Sequence, residues 1–282
     1  MAIDSRPGDL AIGIDFGGSG IKGAIVDVRT GQFVGDRVRI PTPQPSMPRD
    51  VVGVMDQLVL RLFEPLTAGE SAPISTVDAA GMPLGIGIPA ATRGGVVLTA
   101  ANIDPTWIGF QAEREMSLAL GRPVAVGNDA DVAGLAEMRY GAGRRQRGTT
   151  IVLTIGTGMG TAVFADGRLL PNTELGHVEL KGRDAEERVA ESARDRLGLG
   201  WRDWASGFDD YLHLLERLFW PDLFILGGGA SKRSDNYMQY LTVKTPIVIA
   251  TLKNNAGIVG GALIAHEKRS RDAVRNAGEP IA

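Results

Sequence analysis

The chain has 282 residues, no cysteine, a formal net charge of −3, and 44% hydrophobic against 22% charged residues. That balance suits a globular protein of one or two domains and gives no global electrostatic footprint for nucleic acid. The missing thiols exclude disulfides and thiolate metal sites, though they leave the redox compartment undetermined.

The opening residues, MAIDSRPGD, lack the apolar core of a signal peptide, and no apolar run approaches the length of a membrane span. A cytoplasmic enzyme with neither a nucleic-acid nor a membrane partner is the expectation. The first informative stretch is GIDFGGSGIKGAIVD, residues 13–27. An apolar strand reaches Asp15, a turn of Gly17, Gly18, Ser19 and Gly20 follows, and Lys22 leads into Ala24–Ile25–Val26 and Val28. Glycines let backbone N–H groups approach a bulky anion with no Cβ in the way, so the turn reads as a phosphate loop. Gly18, Gly20 and Gly23 form a G-x-G-x-x-G match. The dinucleotide version needs a helix straight after the turn, and a strand follows here, closing at Thr30–Gly31, which argues against it.

A Pro-rich crossing (40–48) precedes Val51, Val52, Met55, Leu58, Val59 and Leu62 at helical spacing. Residues 83–97 read as strand, loop, strand, and VAVGND as a short buried strand ending at Asn128–Asp129. A helix over 130–143 with a glycine-rich stop comes next, then a second strand–turn–strand over 149–167 carrying Thr157, Gly158 and Gly160. Helical patterns follow around 184–197 and 201–219. A strand then enters a third glycine turn at Gly227, Gly228 and Gly229; TPIVIATL reads as a strand and NAGIVGGALIAHEKR as a C-terminal helix.

The two strand–turn–strand units share one plan about half a chain apart. A duplication of this kind predicts two similar α/β domains facing each other across a cleft, with one phosphate loop from each. The bland alternative is a pair of ordinary glycine-rich hairpins. Phosphoryl transfer needs a proton acceptor and charge neutralisation around the moving group. Asp129, between a buried strand and a helix, is the candidate base; as a favoured N-cap residue it also suits capping, and both roles can hold. Asn128 can donate to and accept from sugar hydroxyls. Asp15 can reach Mg²⁺ riding on the phosphates, directly or through water, or serve as a strand-end turn acid. Lys22 is a phosphate contact or a solvated residue. Glu174 and His177, beside a glycine, suit vicinal hydroxyls or a structural turn.

Taken together and in order, GIDFGGSGIKG, GNDADVAGLAE, TIGTGMGTA, NTELGH and LFILGGGASK resemble the ROK family of sugar kinases, in particular its polyphosphate glucokinase branch. The resemblance covers nearly the whole chain. It implies an α/β, actin-like (hexokinase/ribonuclease H-like) two-domain fold with a central cleft: residues 1–127, completed by about 256–282, and residues 128–255. It also implies transfer to the 6-hydroxyl of glucose, or of mannose too, from inorganic polyphosphate or ATP with Mg²⁺.

By motif, Asp129 matches the catalytic base. Asn128, Glu174, His177 and Glu186 match sugar ligands, with Glu187 the competing register for the last. Gly87, Pro89 and Asn102 lie on segments resembling those that line the sugar pocket. Asp15, Gly17, Gly18, Ser19, Gly20 and Lys22 match the first phosphate loop; Thr157, Gly158 and Gly160 match the second; Gly227, Gly228 and Gly229 fall at the adenosine end. The family's Cys-rich zinc loop is missing after His177, so no zinc is expected and other contacts must hold that loop. Polyphosphate would favour a string of cations, for which Arg144, Arg145, Arg147, Lys181 and Lys232 are candidates, each otherwise a solvated surface charge. A homodimer is allowed by the resemblance, but nothing in the sequence fixes an interface. The rival readings are an ATP-only glucokinase, a ROK-type sugar sensor, for which no helix-turn-helix module precedes the first loop, and an actin-like ATPase, which would not need Asn128–Asp129 with Glu174 and His177.

Overall fold

A computed structural model of the chain describes residues 7–67 and 74–276. It divides into two compact units, Met1–Ala136 with Asn255–Ala282, and Glu137–Asn254. The first unit is built from β1 (Leu10–Gly17), β2 (Gly20–Asp27), β3 (Gln32–Ile40), α1 (Pro48–Thr67), α2 (Thr76–Gly81), β4 (Leu84–Ile88), β5 (Thr92–Arg93), β6 (Val96–Val97), α3 (Ala112–Leu120) and β7 (Val124–Asn128). Helix α4 (Asp129–Tyr140) begins here, and the unit boundary falls inside it. The main sheet has the order β3-β2-β1-β4-β7; β3, β2 and β1 form an antiparallel meander, and β4 and β7 extend it in parallel.

Both faces of this sheet are covered, which is why its central strands are apolar almost throughout. On one face α1 buries Val51, Met55, Leu58, Val59 and Leu62, the stripe that the helical spacing predicts. On the other lies the C-terminal helix (Ala256–Asn276), in direct backbone contact with the strands. A Cβ on Gly13 or Gly85 would fall 1.8 Å from the carbonyl oxygen of Ile258 or Gly261. Only hydrogen fits at either position.

The second unit repeats the scheme. It comprises β8 (Thr149–Ile155), β9 (Met159–Ala165), β10 (Arg168–Leu170), the hairpin β11 (Glu179–Leu180) and β12 (Arg183–Asp184), α5 (Glu186–Val189), α6 (Glu191–Arg196), α7 (Trp201–Phe219), β13 (Leu223–Gly228) and β14 (Ile247–Ile249). Its sheet order is β10-β9-β8-β13-β14, again an antiparallel meander followed by two parallel strands. Helix α7 buries Trp204, Phe208, Tyr211, Leu212 and Leu215 against this sheet's core.

The structure departs from the sequence reading in three places. Strand β3 and helix α3 were not anticipated. The helical pattern over 184–197 resolves into the end of a hairpin and two short helices, because Ala190 between them is extended, with φ −62° and ψ 155°. Among the described residues no helix is long and apolar enough to cross a membrane.

Candidate active site

The first glycine turn joins β1 to β2, with Gly17 opposite Gly20. Its carbonyls are tied back by side chains from β3 and the segment after it. Thr42 Oγ1 donates to Gly17 O at 2.6 Å, Gln44 Nε2 to Gly18 O at 3.2 Å, and Arg39 Nη2 to Ser19 O at 3.0 Å. The N–H groups of Gly18 and Ser19 carry no intramolecular hydrogen bond among the described residues. A loop with its acceptors occupied and its donors open is suited to an anion. A Cβ on Gly20 would lie 2.7 Å from the exposed Arg39 guanidinium, which rests against the backbone there. Asp15, opposite Lys22 in the strand register, accepts from Lys22 Nζ at 3.0 Å. The C-terminal helix starts beside it, where a Cβ on Gly257 would approach Asp15 Cγ to 3.1 Å.

Asn128 ends β7 and caps α4. Its Oδ1 accepts from Ala130 N at 2.9 Å and Asp131 N at 3.1 Å, while its Nδ2 donates to Ala90 O at 3.3 Å. The capping role the sequence allowed to Asp129 therefore belongs to its neighbour. Asp129 is the first helical residue, half-buried, with Oδ1 2.8 Å from Ala130 N. Gly87 lies under this corner: a Cβ there would meet Val132 Cγ2 at 2.7 Å and Asp129 Cα at 3.4 Å, so its bareness seats the start of α4 on β4. Pro89 is half-buried just past β4, and Asn102 is exposed on a bend.

In the second unit the turn between β8 and β9 holds Thr157 and Gly158, with Gly160 in β9. Its carbonyls too are tied back, Gly156 O by Ser192 N at 3.3 Å and Thr157 O by the Ser192 hydroxyl. Gly228, with φ 75°, packs where a Cβ would be 2.4 Å from Ile155 O, so the third glycine turn abuts the second. Gly227 makes ordinary contacts, and a Cβ on Gly229 would meet the movable end of Glu191.

Glu174, His177 and Glu186 come together beside this turn. Gly176, between the first two, presses so closely on the chain that a Cβ would lie 2.4 Å from Met159 O. Glu186 Oε2 accepts from Met159 N at 3.2 Å, and its Oε1 is 3.9 Å from His177 Nδ1. Glu187 is exposed and makes neither contact, so Glu186 is the carboxylate that joins the group. Lost solvation pushes the Glu174 carboxyl up, with the Glu186 charge adding and His177 opposing. His177 is held above the usual imidazole value, first by its hydrogen bond to Asp184, then by the charges of Glu186, Asp184 and Glu174, with burial opposing.

Sequence reasoning missed Asp184, Ser192, Arg39, Thr42 and Gln44. In place of a Cys-rich loop, the β11–β12 hairpin turns through Lys181 and Gly182, both at positive φ, and Arg188 Nη2 donates to Lys181 O at 3.0 Å. Lys181 Nζ is spent on an ion pair with Asp210. Arg144, Arg145, Arg147 and Lys232 are exposed.

Two sheets of one topology, each opening at a clamped glycine turn, define the actin-like two-domain α/β class to which sugar kinases belong. The chain belongs to the ROK family, whose model matches residues 11–191. It is 44% identical to polyphosphate glucokinase of Mycobacterium tuberculosis over 254 residues, 89% of each chain. It is also similar to the inorganic polyphosphate/ATP-glucomannokinase of Arthrobacter sp. strain KM, with a TM-score of 0.84 and 47% identity over 92% of this chain and 99% of that one. A ROK family glucokinase from Streptomyces griseus shares the fold at a TM-score of 0.71 and 24% identity, over 92% and 99% of the two chains.

Proposed function

We propose that this chain is a glucokinase that transfers a phosphoryl group from inorganic polyphosphate or ATP to the 6-hydroxyl of glucose. The observation that carries the reading is a 44% identity, sustained over 89% of both chains, to a polyphosphate glucokinase. The name of the Arthrobacter relative supports mannose as a second acceptor.

The residue roles are those the family resemblance implies, and the local geometry supports them. Asp129 accepts the proton of the attacking hydroxyl, within the ~3 Å reach such a transfer needs. Asn128, locked by its cap and its bond to Ala90, fixes where Asp129 starts and is a candidate sugar ligand. Glu174, His177 and Glu186 are the remaining sugar ligands, with Gly87, Pro89 and Asn102 as pocket-lining positions. The clamped turns offer N–H groups to phosphate oxygens, with Lys22 adding a point charge and Gly227, Gly228 and Gly229 at the nucleoside end of ATP. Exposed Arg144, Arg145, Arg147 and Lys232 remain candidates for polyphosphate; Lys181, engaged by Asp210, is the least available of that set.

Mg²⁺ fits this donor set in one manner only. Among the described residues no group of three or more His, Asp or Glu side chains is arranged to hold a metal. A single carboxylate, Asp15, is what a cation bound chiefly by phosphate and water requires. Such an ion would neutralise charge on the donor phosphates. A cytoplasmic location, where ATP is held, accompanies the reading.

The test is an activity matrix of ATP and long-chain polyphosphate against glucose, mannose and fructose. Hexose 6-phosphate from glucose with both donors is expected. Turnover with ATP alone would reduce the assignment to an ATP-dependent glucokinase, and sugar-independent hydrolysis would replace it with an ATPase.

A further inference from the structure

The edge strand β3 does more than close the sheet. Lys22 of β2 pairs directly with Arg39 of β3, and Asp15 of β1 directly with Lys22, so the three side chains stand in a row on one face. Arg37 belongs to the same face. Its Nη1 donates to Asn255 Oδ1 at 3.2 Å, and Asn255 immediately precedes the helix whose Gly257 packs on Asp15. Alternation agrees, since Arg37 and Arg39 are exposed while Val38 and Ile40 are partly covered.

Neither arginine has a carboxylate partner among the described residues, and each spends one N–H on a neutral acceptor, leaving most of a five-donor fork exposed. Arg39 is continuous with the phosphate turn, because it holds Ser19 O and lies against Gly20. Arg37 stands roughly 6.6 Å further along the strand.

We propose that Arg39 and Arg37 form an anion track along β3 that takes the phosphoryl groups of a linear inorganic polyphosphate beyond those held by the first glycine turn. The inference rests on the donor reading above and adds a residue-level basis for the choice of donor. A chain of identical phosphates can follow the strand, each guanidinium binding oxygens of a different unit as a bidentate fork. ATP has no phosphates to place there, because its chain ends in a nucleoside, for which Gly227–Gly229 of the other unit are the candidate contacts. The glycine turn, with Arg39 holding Ser19 O, would thus serve both donors, while the phosphate contacts of the arginine row would serve only the polymeric one.

The experiment uses the full chain and compares wild type with R37Q/R39Q and R37K/R39K, each checked for unchanged thermal melting. For each, kcat/KM is measured with ATP and with long-chain polyphosphate at saturating glucose and several salt concentrations. Binding of long-chain polyphosphate without sugar is measured by calorimetry.

Losing two charge-assisted contacts should lower kcat/KM for polyphosphate relative to ATP on the order of tenfold or more. It should also weaken polyphosphate binding and flatten its salt dependence, since fewer phosphates are neutralised (by the reasoning that governs other linear polyanions). The lysine pair should recover part of the loss, because it restores charge without the fork. An unchanged donor ratio and an unchanged salt slope in R37Q/R39Q would overturn the track while leaving the kinase assignment intact. A wild-type enzyme unable to use polyphosphate would instead remove the donor assignment itself.

Discussion

The imidazole Nδ1 of His177 lies 2.9 Å from a carboxylate oxygen of Asp184, on the hairpin that stands where a zinc loop would have been. That bond fixes the ring's tautomer: Nδ1 carries the proton toward Asp184, and Nε2 is the nitrogen left for another partner. Because the bond raises the folded-state pKa of His177, the linkage has a definite sign. The added stability is fully present below the unfolded value of about 6.5 and is lost as pH rises through the higher folded value. Asp184→Asn should therefore lower the His177 pKa in an NMR titration, readily assigned in a chain with 3 histidines. The stability gap between variant and wild type should be wider near about pH 5.5 than near about pH 8.5. An unmoved imidazole titration would remove Asp184 from this role.

Asp129→Asn tests the proposed base directly. The amide keeps an oxygen for Ala130 N and leaves the Asn128 cap intact, so folding should be preserved. Turnover should fall on the order of 10²–10⁴-fold with both donors, the range lost when a general base is removed. Glucose affinity, measured by calorimetry, should change little. A variant with most of its kcat would sink the assignment.

Much of this site was legible in the sequence because its pieces are local. A strand, a glycine turn and a strand need only neighbouring residues to declare themselves, and the duplication at 149–167 follows from the same pattern. What escaped reading was brought in from a distance. Thr42, Gln44 and Arg39 meet the first turn only because β3 returns along β2, and β3 disguises itself. It is an edge strand with Gly35 at φ 80° and a register shift opposite Gly23–Ile25, so its charged residues break the apolar alternation. Asp184 escaped for a related reason. The stretch 184–197 has helical spacing, but pairing with Glu179 in the β11–β12 hairpin draws its first residue into a strand. Glycine content hinted at close packing without saying where. The bare strand positions Gly13 and Gly85 mean nothing until the C-terminal helix is laid over them.

That packing has a measurable consequence. Gly85→Ala puts a methyl group 1.8 Å from a backbone oxygen of the C-terminal helix, which cannot move without lifting off the sheet. Overpacking of this kind should cost about 2–4 kcal/mol in urea denaturation, at or above the upper part of the usual range for added methyl groups. Gly53→Ala is the control. Gly53 is an exposed glycine inside α1, and nothing lies within 4 Å of the added carbon. It should stabilise by roughly 0.5–1 kcal/mol through helix propensity alone. Similar effects at the two positions would contradict the backbone contact.

The register of the last proposed sugar carboxylate can be decided by a matched pair of substitutions. Glu186 bonds the Met159 N–H at the end of the second glycine turn and approaches His177, whereas the adjacent Glu187 faces solvent. Glu186→Gln removes the negative charge but keeps an oxygen for Met159. The KM for glucose should therefore rise by on the order of tenfold, as expected when a charged hydrogen bond to a hydroxyl is weakened. Because Glu186 also helps to raise the Glu174 and His177 pKa values, the pH dependence of glucose affinity should shift with it. Glu187→Gln should alter neither quantity, since its side chain reaches no member of the group. If the second substitution were the damaging one, the ligand would lie one residue further along the chain, and the contact between Glu186 and Met159 would be only a means of holding the turn.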